Sequence, residues 1–246
     1  MSGHSHWATI KRAKAGTDAK RGKAWSKIAR KLIVAARAGG GDPDTNLTLR
    51  YTIEEAKAAN MPRDTIKNAI LKGTGELGGE NYEVATYEGY GSGGVAFMIE
   101  ALTNNRSRTA PDLRKIFEVH GGNLAQTGSV GFQFAKQGII TIKAGATTED
   151  KLMEIALDAG ADDIHNEAEG FVIITGPTNM HKVREAIAAA GIAIETSDVS
   201  FQPTTTVALD EHGAKKVLRL MSALEDNEDV QHVSHNGEIP DDVTLD

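Results

Sequence analysis

The sequence predicts an α+β protein, with an N-terminal three-helix bundle followed by two α/β domains. One of these is ferredoxin-like (βαββαβ) and inserted into the other. Three observations carry this. After a polar and basic start over residues 1–22, three runs between Ala24 and Gly73 show the 3.6-residue apolar period of helices, a small bundle over about residues 1–75. From residue 82 onward, strand-like and helix-like runs alternate. Between them lies GTGELGGE, from Gly73 to Glu80, a glycine-rich linker. The expected domains are 1–78, then 79–135 with 203–246, and the insert 136–202.

The first helix spans about 24–38. Trp25, Ile28, Ala29, Leu32, Ile33 and Ala36 fall on one face at i, i+3, i+4, i+7, i+8 and i+11. Gly39-Gly40-Gly41 ends it, because glycine accepts the left-handed C-terminal position, and Asp42-Pro43-Asp44 turns the chain. A second helix carries Leu49, Ile53 and Ala56. A third starts near Asn60-Met61-Pro62 with proline in its first turn, buries Ile66, Ala69 and Ile70, and stops at Gly73. Strands are expected at 82–87, 95–102, 130–134, 139–143, 171–175, 193–199, 204–209 and 230–235, with a weak one at 163–167. Helices are expected at 110–120, 148–159, 178–190 and 211–226. The run from 139 to 199 orders as βαββαβ, and residues 237–246 are acidic and expected to fray.

Charge divides the chain unevenly. The 246 residues hold 27 Lys+Arg and 34 Asp+Glu, a net −7. Yet residues 1–40 contain ten cations (Lys11, Arg12, Lys14, Lys20, Arg21, Lys23, Lys27, Arg30, Lys31 and Arg37) and one acid, Asp18. That segment carries +9, and the remainder, with 17 basic and 33 acidic side chains, carries −16. On the first helix Lys20, Lys23, Lys27, Arg30, Lys31 and Arg37 gather opposite the apolar face, along roughly 25 Å of axis. No acids interleave to form i,i+4 pairs, so a phosphate backbone is the expected partner and a merely solvated face the alternative. Arg106 and Arg108, at a helix start, are secondary anion-binding candidates; a capped entry with solvated arginines explains them equally well.

Other chemistry is argued against. With no cysteine, there is no disulfide, thiolate metal site or cysteine nucleophile. Gly89, Gly91 and Gly94 spell G-x-G-x-x-G, but no helix opens after them to receive a pyrophosphate, so a hairpin loop is expected. The stretch from Gly16 to Lys23 is one residue too long for a P-loop, and Ala24 replaces its hydroxyl. His232 and His235 point to opposite faces of a strand. The βαββαβ order also suits an RNA-recognition motif, but Gly170-Phe171-Val172-Ile173-Ile174 lacks the stacking aromatic pair. After removal of Met1, Ser2-Gly3-His4 would offer a square-planar Cu(II) or Ni(II) site; a flexible end near phosphate is the plainer reading. No catalytic set, metal site or cofactor is expected. No apolar run is long enough to span a membrane and no apolar segment follows a charged start, so a cytoplasmic location is expected.

Residue landmarks run almost the whole length: Gly3-His4-Ser5, Trp7, Ile10-Lys11, Asp18, Arg21-Gly22-Lys23, Gly39-Gly40 with Asp42-Pro43, Leu49-Arg50 and Asn60-Met61-Pro62. Tyr87-Glu88-Gly89, Asn105-Arg106, Gly121-Gly122 and Gly128-Ser129-Val130 continue them. With these the chain resembles the YebC/PmpR family, bacterial relatives of the mitochondrial translational activator of cytochrome c oxidase. His6, Trp25, Lys31 and the pair Phe132-Gln133 depart from its usual residues; Lys31, often glutamate there, makes the basic face more positive. The resemblance implies three domains, no catalytic residues, and one of two roles. One is a translation factor acting on ribosomes, for example where proline-rich stretches stall. The other is a probable transcriptional regulator binding promoter DNA. Residues and resemblance together lead to a non-enzymatic regulator that docks its basic helical face on ribosomal RNA, with DNA as the alternative partner.

Overall fold

A computed structural model describes residues 18–79, 81–240 and 243, with side chains from residue 22 onward. The described chain divides into two units, one from residues 18–79, 81–131 and 215–233, the other from 132–214, 234–240 and 243.

The first unit opens with α1 (Asp18–Gly39), α2 (Leu47–Ala58) and α3 (Arg63–Thr74). Ile28, Leu32, Ile33 and Ala36 of α1 meet Leu49, Ala56, Met61, Ile66 and Ala69 in one buried cluster, as the apolar spacing requires. Asn46 joins α1 to α2. Its Oδ1 accepts from Leu49 N at the start of α2, while Nδ2 donates to the carbonyls of Ala35 and Gly40, each at 2.8 Å. One buried side chain thus satisfies orphan groups of two helix ends.

Two details of α3 differ from expectation. Pro62 stands at the N-cap, just outside the helix. Gly73 does not stop the helix. It is buried against α1, where an added Cβ would lie 2.5 Å from the Ile33 carbonyl oxygen. Gly75, at φ +87°, makes the left-handed exit instead.

A four-stranded sheet follows in the order β3-β1-β2-β9, from β1 (Glu83–Tyr90), β2 (Ala96–Thr103), β3 (Asn123–Leu124) and β9 (Val230–His235). β2 is buried along its whole length. Helix α4 (Arg106–Val119) sets Phe117 edge-on to Phe97, with ring centres 5.9 Å apart. Gly89 and Gly91 are required by these rings: a Cβ on Gly89 would lie 2.5 Å from Phe117, and one on Gly91 2.6 Å from Phe97. The glycine triplet is therefore a hairpin packed on aromatic edges, with a single 3-10 turn at Ser92–Gly94.

The strand expected at 130–134 is absent. Val130 and Gly131 spend their N–H groups on the Glu88 carboxylate, and Gly131–Gln133 forms a 3-10 turn.

In the second unit β4 (Phe134–Lys143), α5 (Glu149–Asp158), β5 (Ala161–Glu167), β6 (Gly170–Thr175), α6 (Met180–Ala189) and β7 (Thr196–Pro203) run in βαββαβ order. The sheet order β5-β6-β4-β7 is antiparallel throughout, the ferredoxin-like arrangement. Ile140, Ile142 and Ile173 meet Leu152, Val183 and Ile187 of its helices in a separate core. Short strands β8 (Val207–Ala208) and β10 (Gly237–Glu238) pair in parallel, and α7 (Glu211–Glu225) leads into the turn before β9. The fold is a mixed α+β one with an N-terminal helical region ahead of two sheet-based parts.

Candidate nucleic-acid interface

Of the ten cations singled out from the sequence, Lys11, Arg12 and Lys14 lie outside the described residues, as does Ser2-Gly3-His4. Lys20 and Arg21 lie in α1, their side chains outside the description. Five remain on α1: Lys23, Lys27, Arg30, Lys31 and Arg37.

The structure brings three of them to one acidic segment. Lys27 Nζ donates to the Glu225 carbonyl at 2.6 Å, at the C-terminus of α7, where the helix dipole is negative. Lys23 meets Asp226 at 3.4 Å. Arg30 donates to the Glu228 carbonyl, approaches the Glu228 carboxylate at 3.2 Å and Asp229 at 3.5 Å, and stacks over the Tyr82 ring at 5.6 Å. Burial holds the Lys27 ammonium below the usual lysine range. Lys31 and Arg30 push the same way, against Glu225 and Asp226. Lys31 turns to Glu55 of α2 at 3.1 Å, and Arg37 is exposed in the last turn of α1. The acids missing at i,i+4 are supplied from about 200 residues downstream, so the acidic body meets the basic face rather than standing away from it.

Asp229 is the centre of this joint, and sequence reading missed it. Its carboxylate is 5% exposed and accepts from Arg108 Nη2 at 2.8 and 3.0 Å and from Thr109 Oγ1 at 2.7 Å. Its carbonyl accepts from Leu102 N at the end of β2. Arg108 is thereby engaged within the chain. Arg106 is too, through a two-pronged contact with Glu83 at 2.7 and 3.0 Å that raises its pKa. Asn105 caps α4 by accepting from Arg108 N, so this helix start is closed.

Arg50 of α2 donates to the carbonyls of Pro43 and Asp44, each at 3.0 Å, while four other cations of the bundle make no such contact among the described residues. Lys57, Arg63, Lys67 and Lys72 are exposed on α2 and α3, with no ion pair or side-chain hydrogen bond among the described residues. Arg63 and Lys67 stand one turn apart on the same side of α3. Their i,i+4 spacing was the available signal, with Asp64 at i,i+3 to Lys67 forming no ion pair with it among the described residues.

A second carboxylate is held wholly by backbone. Glu88 accepts from the N–H groups of Gly128 at 2.7 Å, Val130 at 2.6 Å and Gly131 at 2.9 Å. Burial alone would raise its pKa. The N–H groups of Gly128, Val130, Gly131 and Ser129 outweigh that and hold it below the usual range. The chain's own acid fills this anion cradle, which fixes the 128–131 loop. No helix of the described residues is long and apolar enough to cross a membrane.

The fold and this interface define a class, a basic helical bundle ahead of two sheet-based parts, one of them ferredoxin-like. Family models identify it further. The "TACO1/YebC protein N-terminal domain" matches residues 5–76, and the "TACO1/YebC second and third domain" matches residues 82–237. The chain belongs to the TACO1/YebC family. A "Probable transcriptional regulatory protein" of Pelotomaculum thermopropionicum is 51% identical over 98% of this chain and 100% of its own. One from Desulforapulum autotrophicum is 48% identical over 99% and 98%. The crystal structure of the conserved hypothetical protein Aq1575 from Aquifex aeolicus is similar with a TM-score of 0.88. It is 45% identical and covers 98% of this chain and 100% of that one.

Proposed function

We propose that this protein is a non-enzymatic regulator of gene expression that docks its helical bundle on nucleic-acid phosphate, most directly on ribosomal RNA. One observation carries the reading: the bundle segment is basic, and Lys57, Arg63, Lys67 and Lys72 stand exposed on it without partners among the described residues. Such a surface tracks backbone charge and shape and supplies little base readout. Aromatics make up 5% of the chain, so base stacking is not its means of binding. Recognition by shape and phosphate suits a folded RNA, and association with the ribosome at stalled sites is what the family resemblance adds to this reading.

A DNA-binding transcriptional role is the second reading, favoured by the names of the relatives. On either reading the protein works on its target without cofactor or metal, in the cytoplasm.

Sedimentation separates the readings. On the ribosomal reading the protein travels with ribosomes at near-physiological salt, and alanine at Arg63 and Lys67 weakens that association. A promoter fragment that outcompetes random DNA by roughly 10³-fold, with no ribosome association, replaces it with the transcriptional reading.

A further inference from the structure

We propose that the 226–229 turn is an internal substitute for nucleic-acid phosphate, covering the middle of the α1 cationic face until a bound phosphate backbone displaces it. This rests on the proposed binding of phosphate by the bundle.

The acceptors gathered there form a short row of oxygens: the carbonyls of Glu225 and Glu228 and the carboxylates of Asp226, Glu228 and Asp229. They meet Lys23, Lys27 and Arg30, which follow one another along a helix. A phosphate backbone offers oxygens to such a row in the same way.

The rim of the joint is open to exchange, while Lys27 and Arg30, the latter 12% exposed, form its covered centre. The Lys23 and Asp226 side chains are 46% and 55% exposed, and that of Glu228 is 63% exposed, so solvent and salt already weaken these contacts. Asp229 is buried, but Arg108 and Thr109 still satisfy it when Arg30 leaves, so opening strands no charge. The bundle keeps its own core, since Leu32, Ile33 and Ala36 face Leu49, Met61 and Ile66 rather than the turn. Gly75, Gly78 and Gly79, between α3 and β1, supply the hinge; the first two hold φ of +87° and +45°.

The test uses the full chain with fluorescent random-sequence duplexes of RNA and of DNA at low salt. D226N/E228Q removes two exposed carboxylates of the turn. D112N/E118Q removes two from α4 and controls for net charge. The turn variant is expected to bind about 3- to 10-fold tighter than the wild type, and the control to change far less. The wild type lacks cysteine, so dyes on N68C and K115C report the separation of α3 from α4, which should grow when a duplex binds. If the wild type binds a duplex while the separation stays fixed, or the turn variant does no better than the control, displacement is overturned and phosphate binding stands. If the wild type binds neither duplex, the phosphate-binding reading fails and displacement falls with it.

Discussion

Asp229→Ala should weaken the first unit more than any change to its exposed charges. The carboxylate is 5% exposed and accepts from Arg108 and Thr109, with Arg30 at 3.5 Å. Breaking a fully buried ion pair costs about 3–5 kcal/mol. Arg108 is 47% exposed and rehydrates, and Arg30 keeps Glu228, so part of that is recovered. What remains is the lost Thr109 hydrogen bond, whose hydroxyl can still donate to Asn105 O at 3.1 Å, and the loosened turn before β9, about 1–2 kcal/mol in all. Asp229→Asn retains an acceptor and should cost about half as much. Urea unfolding followed by Trp25 fluorescence in a Trp7→Phe background reads the unit, since Trp25 Nε1 donates to Ala59 O within the bundle. Arg30→Ala and Arg108→Ala, each combined with Asp229→Ala, complete double-mutant cycles in which Arg108 should show the larger coupling. A loss below about 0.5 kcal/mol for Asp229→Ala, the range of ordinary surface changes, would refute the reasoning.

Three further outcomes follow from the same geometry. Gly73→Ala should destabilise by about 1–2 kcal/mol in urea unfolding, because overpacking against the Ile33 carbonyl exceeds the roughly 1 kcal/mol that alanine gains in helix propensity; a stabilised variant contradicts this. Glu88→Gln should cost about 2 kcal/mol at neutral pH, since three backbone N–H groups lose a charged acceptor. The folded pKa of Glu88 is depressed, so its contribution is complete above the ordinary glutamate range near about 4.3 and disappears as pH falls through the lower folded value. Stability curves of wild type and Glu88→Gln should therefore converge in acid, and parallel curves would count against the cradle. Alanine at Arg63 and Lys67 should each lower the slope of log Kd against log salt by about 1 on a duplex probe; unchanged slopes would remove α3 from the binding surface.

Local periodicity made much of the fold legible. The spacing of Trp25, Ile28, Leu32 and Ala36 marks α1, and the runs from 139 to 199 carry the βαββαβ order whose strand pairing the structure shows. Misreadings arose where one local signal serves two causes. Val130, Phe132 and Phe134 alternate like a strand, yet Val130 is buried with its N–H on Glu88 and Phe132 is 77% exposed. Gly73 resembles a helix stop, but its small size serves close approach to α1. β3, two residues long, is too short for any period to mark. The cations of α1 were visible as a face. Their partners, on a turn about 200 residues away, were not, because ion pairing at that separation leaves no local trace. Arg63 and Lys67 carried a signal that the denser charge of the first 40 residues overshadowed.

Ultraviolet crosslinking in living cells, with sequencing of the bound nucleic acid and mapping of the crosslinked peptides, tests the central claim most directly. The account predicts mainly ribosomal RNA, attached through peptides of the bundle, those bearing Arg63 and Lys67 included. Crosslinks confined to residues 81–240, or no nucleic acid above an untagged control, would contradict it.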